Sequence, residues 1–184
     1  LSTEENDRLA RVGPGTPGGE LLRRYWVPFL PSAKLDENPV QSIRLLGEDL
    51  TCYRDKSDNV GLIGQRCLHR SVDLKWGIPD EDGLRCPYHG WKYDAEGNCV
   101  DMPNIPAEHD LKDKVHTKAY KTEERNGLIW VFMGDQDQEN IPPLPGLEPA
   151  LLEEGEVRFI FAQRECNWQQ ALEGDIDTSH FSWL

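Results

Sequence analysis

Two short cysteine–histidine clusters constrain this chain of 184 residues more than any other feature of its sequence. The first is Cys67-Leu68-His69, and the second, after residues 70–85, is Cys86-Pro87-Tyr88-His89. Each cluster offers one thiolate and one imidazole, a donor set that suits zinc or an iron–sulfur cluster and does not suit calcium or magnesium. We therefore expect a fold that brings two loops, distant in sequence, to one metal centre.

The order of the ligands separates these two kinds of metal site. Zinc sites usually pair like with like, two cysteines followed by two histidines, whereas each cluster here mixes both types. In a Rieske [2Fe-2S] centre two cysteines hold one iron and two histidines hold the other, so each loop must reach both metals. With the flanking runs His69-Arg70-Ser71 and His89-Gly90-Trp91, the clusters resemble the oxygenase branch of the Rieske family. Zinc and a chance match are the alternatives that the ligand order disfavours.

The resemblance implies that four residues bind a [2Fe-2S] cluster: Cys67, His69, Cys86 and His89. Rieske proteins of respiratory complexes carry one more cysteine in each loop, joined as a disulfide, and the resemblance places Val72 and Tyr88 at those positions. The disulfide cannot form, which implies the oxygenase or ferredoxin type, at the low end of the Rieske range of reduction potentials. The aromatic residues Trp76, Tyr88 and Trp91 are predicted to pack around the cluster.

Composition excludes several classes of function. The formal net charge is −13, which argues against nucleic-acid binding because nothing would neutralise the phosphates. No apolar run approaches membrane-spanning length, and the first residues are too polar and acidic for a signal peptide. The remaining cysteines, Cys52, Cys99 and Cys166, show no disulfide-scaffold pattern and are predicted to be buried or half-buried free thiols. We therefore expect a cytoplasmic protein.

The pattern of turns predicts a mainly β domain after two short helices. A capping box at Ser2-Glu5 predicts a helix over about 3–11, and Thr16-Pro17 predicts the start of a second helix. From Trp26 to Phe132, turn residues punctuate short apolar runs about every eight to twelve residues, as in an all-β domain. Hairpin or turn positions are predicted at 47–49, 55–59, 94–98 and Asn126-Gly127.

The resemblance implies two domains. Residues 1–140 are expected to form the Rieske [2Fe-2S] domain, an antiparallel β fold with two cluster-binding loops at one tip. Residues 141–184 are expected to be a proline-rich linker and the incomplete beginning of an α+β helix-grip catalytic domain. Within this second part, Val157–Cys166 is predicted to be a strand because Val157, Phe159 and Phe161 alternate.

A second metal site is expected in the last residues of the chain. Asp177 and His180 are three residues apart, so on a helix they would share a face. They resemble the start of the oxygenase signature Asp-x-x-His-x-x-x-x-His, in which two histidines and a later carboxylate bind a mononuclear Fe(II). The resemblance implies that His180 is an iron ligand, with the remaining ligands beyond Leu184. It also implies that Asp177 bridges His89 of one subunit to His180 of its neighbour by charge-assisted hydrogen bonds.

The resemblance implies an oxygenase component that passes electrons from a flavin/iron–sulfur reductase through the [2Fe-2S] cluster to the mononuclear Fe(II). That iron would activate O2 for dihydroxylation of an aromatic carboxylate, since residues 14–26 resemble the phthalate 4,5-dioxygenase-like branch. A homotrimer or stacked trimers would be expected from the family. The alternatives are an aromatic O-demethylase of the same family and a Rieske-type electron-transfer ferredoxin without catalysis, in which Asp177 and His180 would have no role.

Overall fold

The computed structural model describes residues 2–153, 156–162 and 164–181. Their strands form two antiparallel sheets, a six-stranded one in the order β1-β10-β9-β4-β3-β2 and a four-stranded one in the order β5-β6-β7-β8. The strands are β1 Trp26–Pro31, β2 Val40–Leu45, β3 Glu48–Arg54, β4 Val60–Gly64, β5 Ile78–Asp80, β6 Gly83–Arg85, β7 Lys92–Tyr93, β8 Cys99–Asp101, β9 Ala119–Arg125 and β10 Leu128–Phe132. The predicted antiparallel β architecture is confirmed.

Short helices flank and connect the strands. The α-helices are α1 Thr3–Ala10, α2 Pro17–Leu22, α3 Ala33–Glu37, α4 Glu148–Leu151, α5 Trp168–Ile176 and α6 Thr178–Phe181. Both predicted N-terminal helices are confirmed: Ser2 and Glu5 form the capping box of α1, and the Thr16 side chain caps α2. None of the helices in the described ranges is long and apolar enough to cross a membrane.

Two hairpins close with two-residue turns in which both residues have positive φ. Leu46-Gly47 (φ 43° and 79°) joins β2 to β3, and Asn126-Gly127 (φ 48° and 77°) joins β9 to β10. Turns of this kind match the right-handed twist of the strands that they connect. The predicted turn at Asn126-Gly127 is confirmed. The turn predicted over 47–49 is wrong, because Glu48 already belongs to β3.

A buried ion pair fastens the N-terminal helices to the six-stranded sheet. The Arg23 guanidinium donates to the carbonyl oxygens of Val12 and Leu46, at 3.1 and 2.9 Å, and to Glu48 Oε1 at 2.9 Å. Glu48 also accepts from the Tyr120 hydroxyl at 2.6 Å and from Lys118. Burial raises the pKa of Glu48, but the hydrogen bonds from Lys118, Tyr120 and Arg23 outweigh burial, and the net shift is downward.

Part of the predicted linker packs onto the β fold. The Trp26 indole donates to the carbonyl oxygen of Pro142 at 2.7 Å. Leu144 is buried in a cluster with Trp26, Trp130 and Phe132. The domain boundary at residue 140 stays a prediction, but residues 141–144 are attached to the first domain by these contacts.

The strand predicted over Val157–Cys166 is wrong. Residues 157–162 and 164–166 form no strand, and Ile160 and Phe161 are 89% and 50% exposed. Alternation marks one face of a strand, but a strand forms only when a neighbouring strand satisfies its N–H and C=O groups. Within the ranges that the structure describes, no strand pairs with this segment.

Candidate metal centre

Two loops bring the four predicted ligand residues together. We call residues 65–73, which follow β4, the first tip loop, and residues 86–91, between β6 and β7, the second tip loop. In the first, the Cys67 amide donates to Val72 O at 2.9 Å and the Ser71 amide to Cys67 O at 2.8 Å. In the second, the Cys86 amide donates to Trp91 O at 2.8 Å. Each loop therefore closes on its own cysteine through backbone hydrogen bonds.

Gly90 makes the second tip loop possible. Its φ is +79°, and a Cβ at this position would lie 2.6 Å from Cγ of Pro103. A non-glycine residue would be strained in this conformation and would collide with the neighbouring turn. Glycine therefore allows the chain to reverse immediately after His89.

The two cysteines lie in the protein interior. Cys67 and Cys86 are 2% and 3% exposed, both are free thiols, and both belong to one hydrophobic core with Tyr53, Leu74 and Leu84. Burial raises the pKa of Cys86, and the neighbouring Cys67 thiol raises it further, although backbone N–H groups of the loop oppose the shift. Binding of a metal to these sulfurs would therefore be coupled to proton release.

The two imidazoles lie side by side and are half-buried. The ring centroids of His69 and His89 are 4.5 Å apart, with an angle of 65° between the planes. Desolvation, followed by the nearby His89 and Arg70, lowers the pKa of His69 and so favours its neutral form. His89 Nδ1 is buried and has no hydrogen-bond partner within the described part of the chain. A buried nitrogen without a partner is unfavourable, so a metal bond at this atom fits the structure.

The four candidate ligands divide into two chemically different pairs. No group of three or more His, Cys, Asp or Glu side chains within the described ranges could hold one metal ion. A structural zinc site takes four protein ligands around one ion, whereas a Rieske cluster takes two at each iron. Two buried thiols and two half-buried imidazoles supply the two ligand pairs that a two-iron cluster requires.

Aromatic rings surround the imidazoles, as predicted for two of three residues. The Trp91 indole stacks on His69, and the Tyr88 ring contacts His89. Trp76 does not pack around the site: it is 68% exposed, with the Lys75 ammonium 5.2 Å from its ring centroid. The prediction was wrong for Trp76 because its short 3₁₀ helix, Leu74–Trp76, buries Leu74 and leaves Trp76 outside.

Two supporting residues were missed from the sequence. The Tyr93 hydroxyl is buried, lies 3.5 Å from Cys67 Sγ and accepts from the Leu68 amide at 3.1 Å. Burial raises the pKa of Tyr93, and Cys67 raises it further. Arg85 donates to Gly90 O at 2.6 Å and thus braces the second tip loop. The sequence offered only one indication of these roles, namely that both residues are close to the second cysteine–histidine cluster. Arg85 directly precedes this cluster, and Tyr93 follows it in a strand.

The other three cysteines are free thiols, as predicted, but the predicted burial is confirmed only for Cys52 and Cys99 and is wrong for Cys166. Cys52 and Cys99 are buried, and Cys166 is exposed. Burial raises the pKa of Cys99 to about 11, so this thiol stays protonated at neutral pH.

Asp177 and His180 lie in the C-terminal segment and do not share one continuous helix. Helix α5 ends at Ile176, and Asp177 is extended, with φ −74° and ψ 93°. Its Oδ1 accepts from the Ser179 amide at 2.9 Å, so Asp177 caps the start of α6. The side chain of His180 lies outside the described residues, as does Leu184. The shared helical face considered for Asp177 and His180 therefore does not apply, because a capping aspartate has a non-helical backbone.

Comparison with known families identifies the domain around the tip loops. The model of the Rieske [2Fe-2S] domain matches residues 25–124, which include both tip loops. The chain is 48% identical to the 3-chlorobenzoate-3,4-dioxygenase oxygenase subunit of Comamonas testosteroni, over 99% of this chain and 42% of that protein.

Other relatives carry out different oxygenase reactions. The chain is 43% identical to the 5,5'-dehydrodivanillate O-demethylase oxygenase subunit of Sphingobium sp. (strain NBRC 103272 / SYK-6), over 100% of this chain and 43% of that protein. It is 42% identical to the phthalate 4,5-dioxygenase oxygenase subunit of Pseudomonas putida, over 100% of this chain and 42% of that protein. The chain thus spans about two fifths of the length of these relatives.

Solved structures agree with this fold. NdmA of Pseudomonas putida CBB5 superposes with a TM-score of 0.57 at 33% identity, over 62% of this chain and 36% of that chain. The complex between oxygenase and ferredoxin in carbazole 1,9a-dioxygenase contains a chain that superposes with a TM-score of 0.53 at 28% identity, over 62% of this chain and 30% of that one.

Proposed function

Because this chain belongs to the Rieske [2Fe-2S] domain family, we propose that it is part of the oxygenase subunit of a Rieske non-haem iron oxygenase. The observation that supports this proposal most strongly is that the two tip loops come together. Two buried thiols lie beside two imidazoles whose centroids are 4.5 Å apart. Cys67 and Cys86 would hold one iron of the [2Fe-2S] cluster, and His69 and His89 the other.

The surroundings of these residues leave one side of the proposed cluster accessible for electron transfer. The cysteines belong to the hydrophobic core, whereas both histidines are half-buried. The imidazole side is therefore the side that another protein or domain can approach. When bound, the cluster supplies one-electron transfer, and a mononuclear Fe(II) supplies the activation of O2.

Asp177 and His180 are proposed to connect the cluster to the mononuclear iron. Asp177 would accept hydrogen bonds from His180 of its own subunit and from His89 of a neighbouring subunit, in a homotrimer or stacked trimers. A carboxylate between two imidazoles can fix their orientation and tautomer. The capping bond to the Ser179 amide holds this carboxylate at the junction of two helices. Residues 141–184 would begin the catalytic domain, and residues 1–140 would form the Rieske domain.

The proposed substrate is an aromatic carboxylate, oxidised with O2 and with electrons from a flavin/iron–sulfur reductase. The names of the dioxygenase relatives, which act on 3-chlorobenzoate and phthalate, support dihydroxylation. The relative named as an O-demethylase, at 43% identity, supports aromatic O-demethylation as the second candidate. An electron-transfer ferredoxin is disfavoured because the similarity to oxygenase subunits extends over 99% of the chain, far beyond the β domain.

Metal analysis and electron paramagnetic resonance (EPR) of the full-length, anaerobically purified subunit test the cluster and the reaction. We expect iron, no stoichiometric zinc, and the rhombic signal of a Rieske cluster after reduction with dithionite. With reductase and O2, phthalate, 3-chlorobenzoate and a methoxylated benzoate separate dihydroxylation from O-demethylation. Bound zinc without a rhombic signal would reject the proposal, and a cluster without turnover of any aromatic substrate would favour the electron carrier.

Substitution of Asp177 tests the bridging role with little change of structure. Asp177→Asn keeps a side-chain oxygen that can cap α6, because Asn and Asp cap helices equally well, but it removes the negative charge. We expect both metals to remain bound and electron transfer between them to slow by at least about tenfold. Asp175→Asn, at an exposed carboxylate two residues earlier, is the matched control. Equal single-turnover rates in the two variants would reject the bridging role.

A further inference from the structure

Each candidate imidazole has one aromatic neighbour, but the two neighbours are held differently. The Trp91 indole lies parallel to the His69 ring, with centroids 4.6 Å apart and an interplanar angle of 8°. The Tyr88 ring lies 3.8 Å from the His89 ring at an angle of 47°, and Tyr88 is 62% exposed. A flat stack restricts rotation of His69 about its Cβ–Cγ bond, because rotation would break the parallel contact.

Trp91 itself is anchored at both its backbone and its side chain. Its carbonyl oxygen accepts from the Cys86 amide at 2.8 Å. Its indole Nε1 donates to Asn104 Oδ1 at 2.8 Å. The indole also packs against the hydrophobic core below the tip loops. The ring that covers His69 is therefore fixed by contacts that do not involve His69.

Asn104 lies in a turn that rests on the second tip loop. The turn, residues 102–105, follows β8 and is closed by the Ile105 amide, which donates to Met102 O at 3.0 Å. Met102 is 6% exposed, and Pro103 lies so close to Gly90 that no Cβ would fit there. The position of the Asn104 amide group is thus set by the core and by the second tip loop.

We propose that Asn104 and Trp91 are positioning residues that fix the plane of the His69 imidazole. This inference rests on the proposed function, in which His69 is a ligand of the cluster. Residues that contact a metal-binding histidine set the orientation of its ring. Substitution of such a residue typically lowers metal affinity or activity by about tenfold or more. The contacts run from Asn104 through Trp91 to His69, and so they tie the first tip loop to the second.

Pulsed EPR of the dithionite-reduced, full-length subunit measures this orientation through the nitrogen couplings of the two imidazoles. Trp91→Leu removes the stacking ring, and we expect it to change the couplings of one imidazole while the other stays as in the parent. Trp91→Phe keeps a ring but loses the N–H donor, and Asn104→Ala loses the acceptor. Both should change the same imidazole to a smaller extent. Because they break one hydrogen bond, Asn104→Ala should add little to Trp91→Phe.

Trp76→Leu is the matched control, since Trp76 is 68% exposed beside the first tip loop and its ring contacts the Lys75 ammonium. Unchanged couplings in a cluster-loaded Trp91→Leu protein would overturn the inference. If Trp91→Leu does not fold, Asn104→Ala decides in the same way, because Asn104 is on the surface. A parent protein without a rhombic signal would instead reject the proposed function, so the two failures are distinguishable.

Discussion

The β fold and the C-terminal segment place their candidate functional residues by different means. In the β fold, Cys67 and Cys86 are part of the hydrophobic core, and each tip loop closes on its cysteine by backbone hydrogen bonds. In the C-terminal segment, Asp177 is exposed and lies at the junction of two short helices. The two cysteines are built into a core, whereas Asp177, the proposed bridging residue, is exposed among the described residues.

This difference indicates which property each site depends on. A residue in a packed core is positioned by many neighbours, and its loss disturbs all of them. An exposed residue at a helix cap is positioned by a few local hydrogen bonds and is available to a neighbouring chain. We therefore expect substitutions in the β fold to affect metal content and stability, and those in the C-terminal segment to affect communication between sites.

The largest effect is expected for a cysteine of the tip loops. Cys86→Ser replaces a soft thiolate with a hard hydroxyl, so nearly all of the cluster iron and of the visible cluster absorbance should be lost. Cys166→Ser, the same change at an exposed thiol of the C-terminal segment, should leave both at the parent level. Iron analysis and absorbance spectra measure the effect. An Fe–S spectrum of normal intensity in Cys86→Ser would contradict the assignment of this ligand.

A large loss of stability is expected when the buried ion pair is broken. Arg23→Met removes the cation that binds Glu48 and two carbonyl oxygens, which should lower the free energy of unfolding by about 3 kcal/mol or more. Lys34→Met, at an exposed pair with Glu37, should change it by less than about 0.5 kcal/mol. Urea denaturation of both variants measures the difference. Similar midpoints would show that the N-terminal helices are not held by Arg23.

A smaller effect is expected where the linker meets the β fold. Trp26→Phe keeps the aromatic ring but loses the hydrogen bond to Pro142 O, which should cost about 1 kcal/mol. Hydrogen exchange at the amides of Leu144, Gly146 and Leu147 should become faster, because the segment is then less firmly attached. Trp168→Phe, in the exposed helix α5, is the control and should leave this exchange unchanged. Unaltered exchange in Trp26→Phe would indicate that the first domain ends before Pro142.

The smallest effect is confined to acidic pH. The pKa of Glu48 is lowered from its ordinary value of 4.5, so the folded state favours the ionised carboxylate. The resulting stability is fully present above the unfolded pKa and is lost as pH falls through the lower folded pKa. Between about pH 5 and pH 3, unfolding free energy should therefore fall more steeply for the parent than for Glu48→Gln. Parallel curves would contradict the lowered pKa.

The sequence predicted those parts of the molecule that short-range chemistry determines. The Ser2-Glu5 capping box and the Asn126-Gly127 turn each depend on a few adjacent residues, and the structure contains both. In both cases the interacting residues lie in the same helical turn or the same hairpin and are close in sequence. A local sequence pattern is therefore enough to predict them. The spacing of the cysteine–histidine clusters likewise indicated two loops, and the structure brings these loops together.

Contacts between distant residues could not be predicted in the same way. Asn104 accepts a hydrogen bond from the Trp91 indole, and the Tyr93 hydroxyl contacts Cys67. Both contacts depend on how the four-stranded sheet packs against the core. No local pattern indicates that an asparagine in a turn will meet an indole of another loop. The strand predicted over residues 157–166 failed for a related reason, since alternation describes one face and gives no information about a pairing partner.

The hydrogen bond between Trp26 and Pro142 joins residues 116 positions apart in sequence. The first strand of the β fold and the segment that leaves it are therefore neighbours in space. A unit whose two ends meet can be exchanged between proteins with little disturbance of what surrounds it. With the N-terminal helices that Arg23 holds on the same sheet, residues 1–142 are therefore a natural cassette for chimeras, in which the Rieske module of one protein is recombined with the remainder of another.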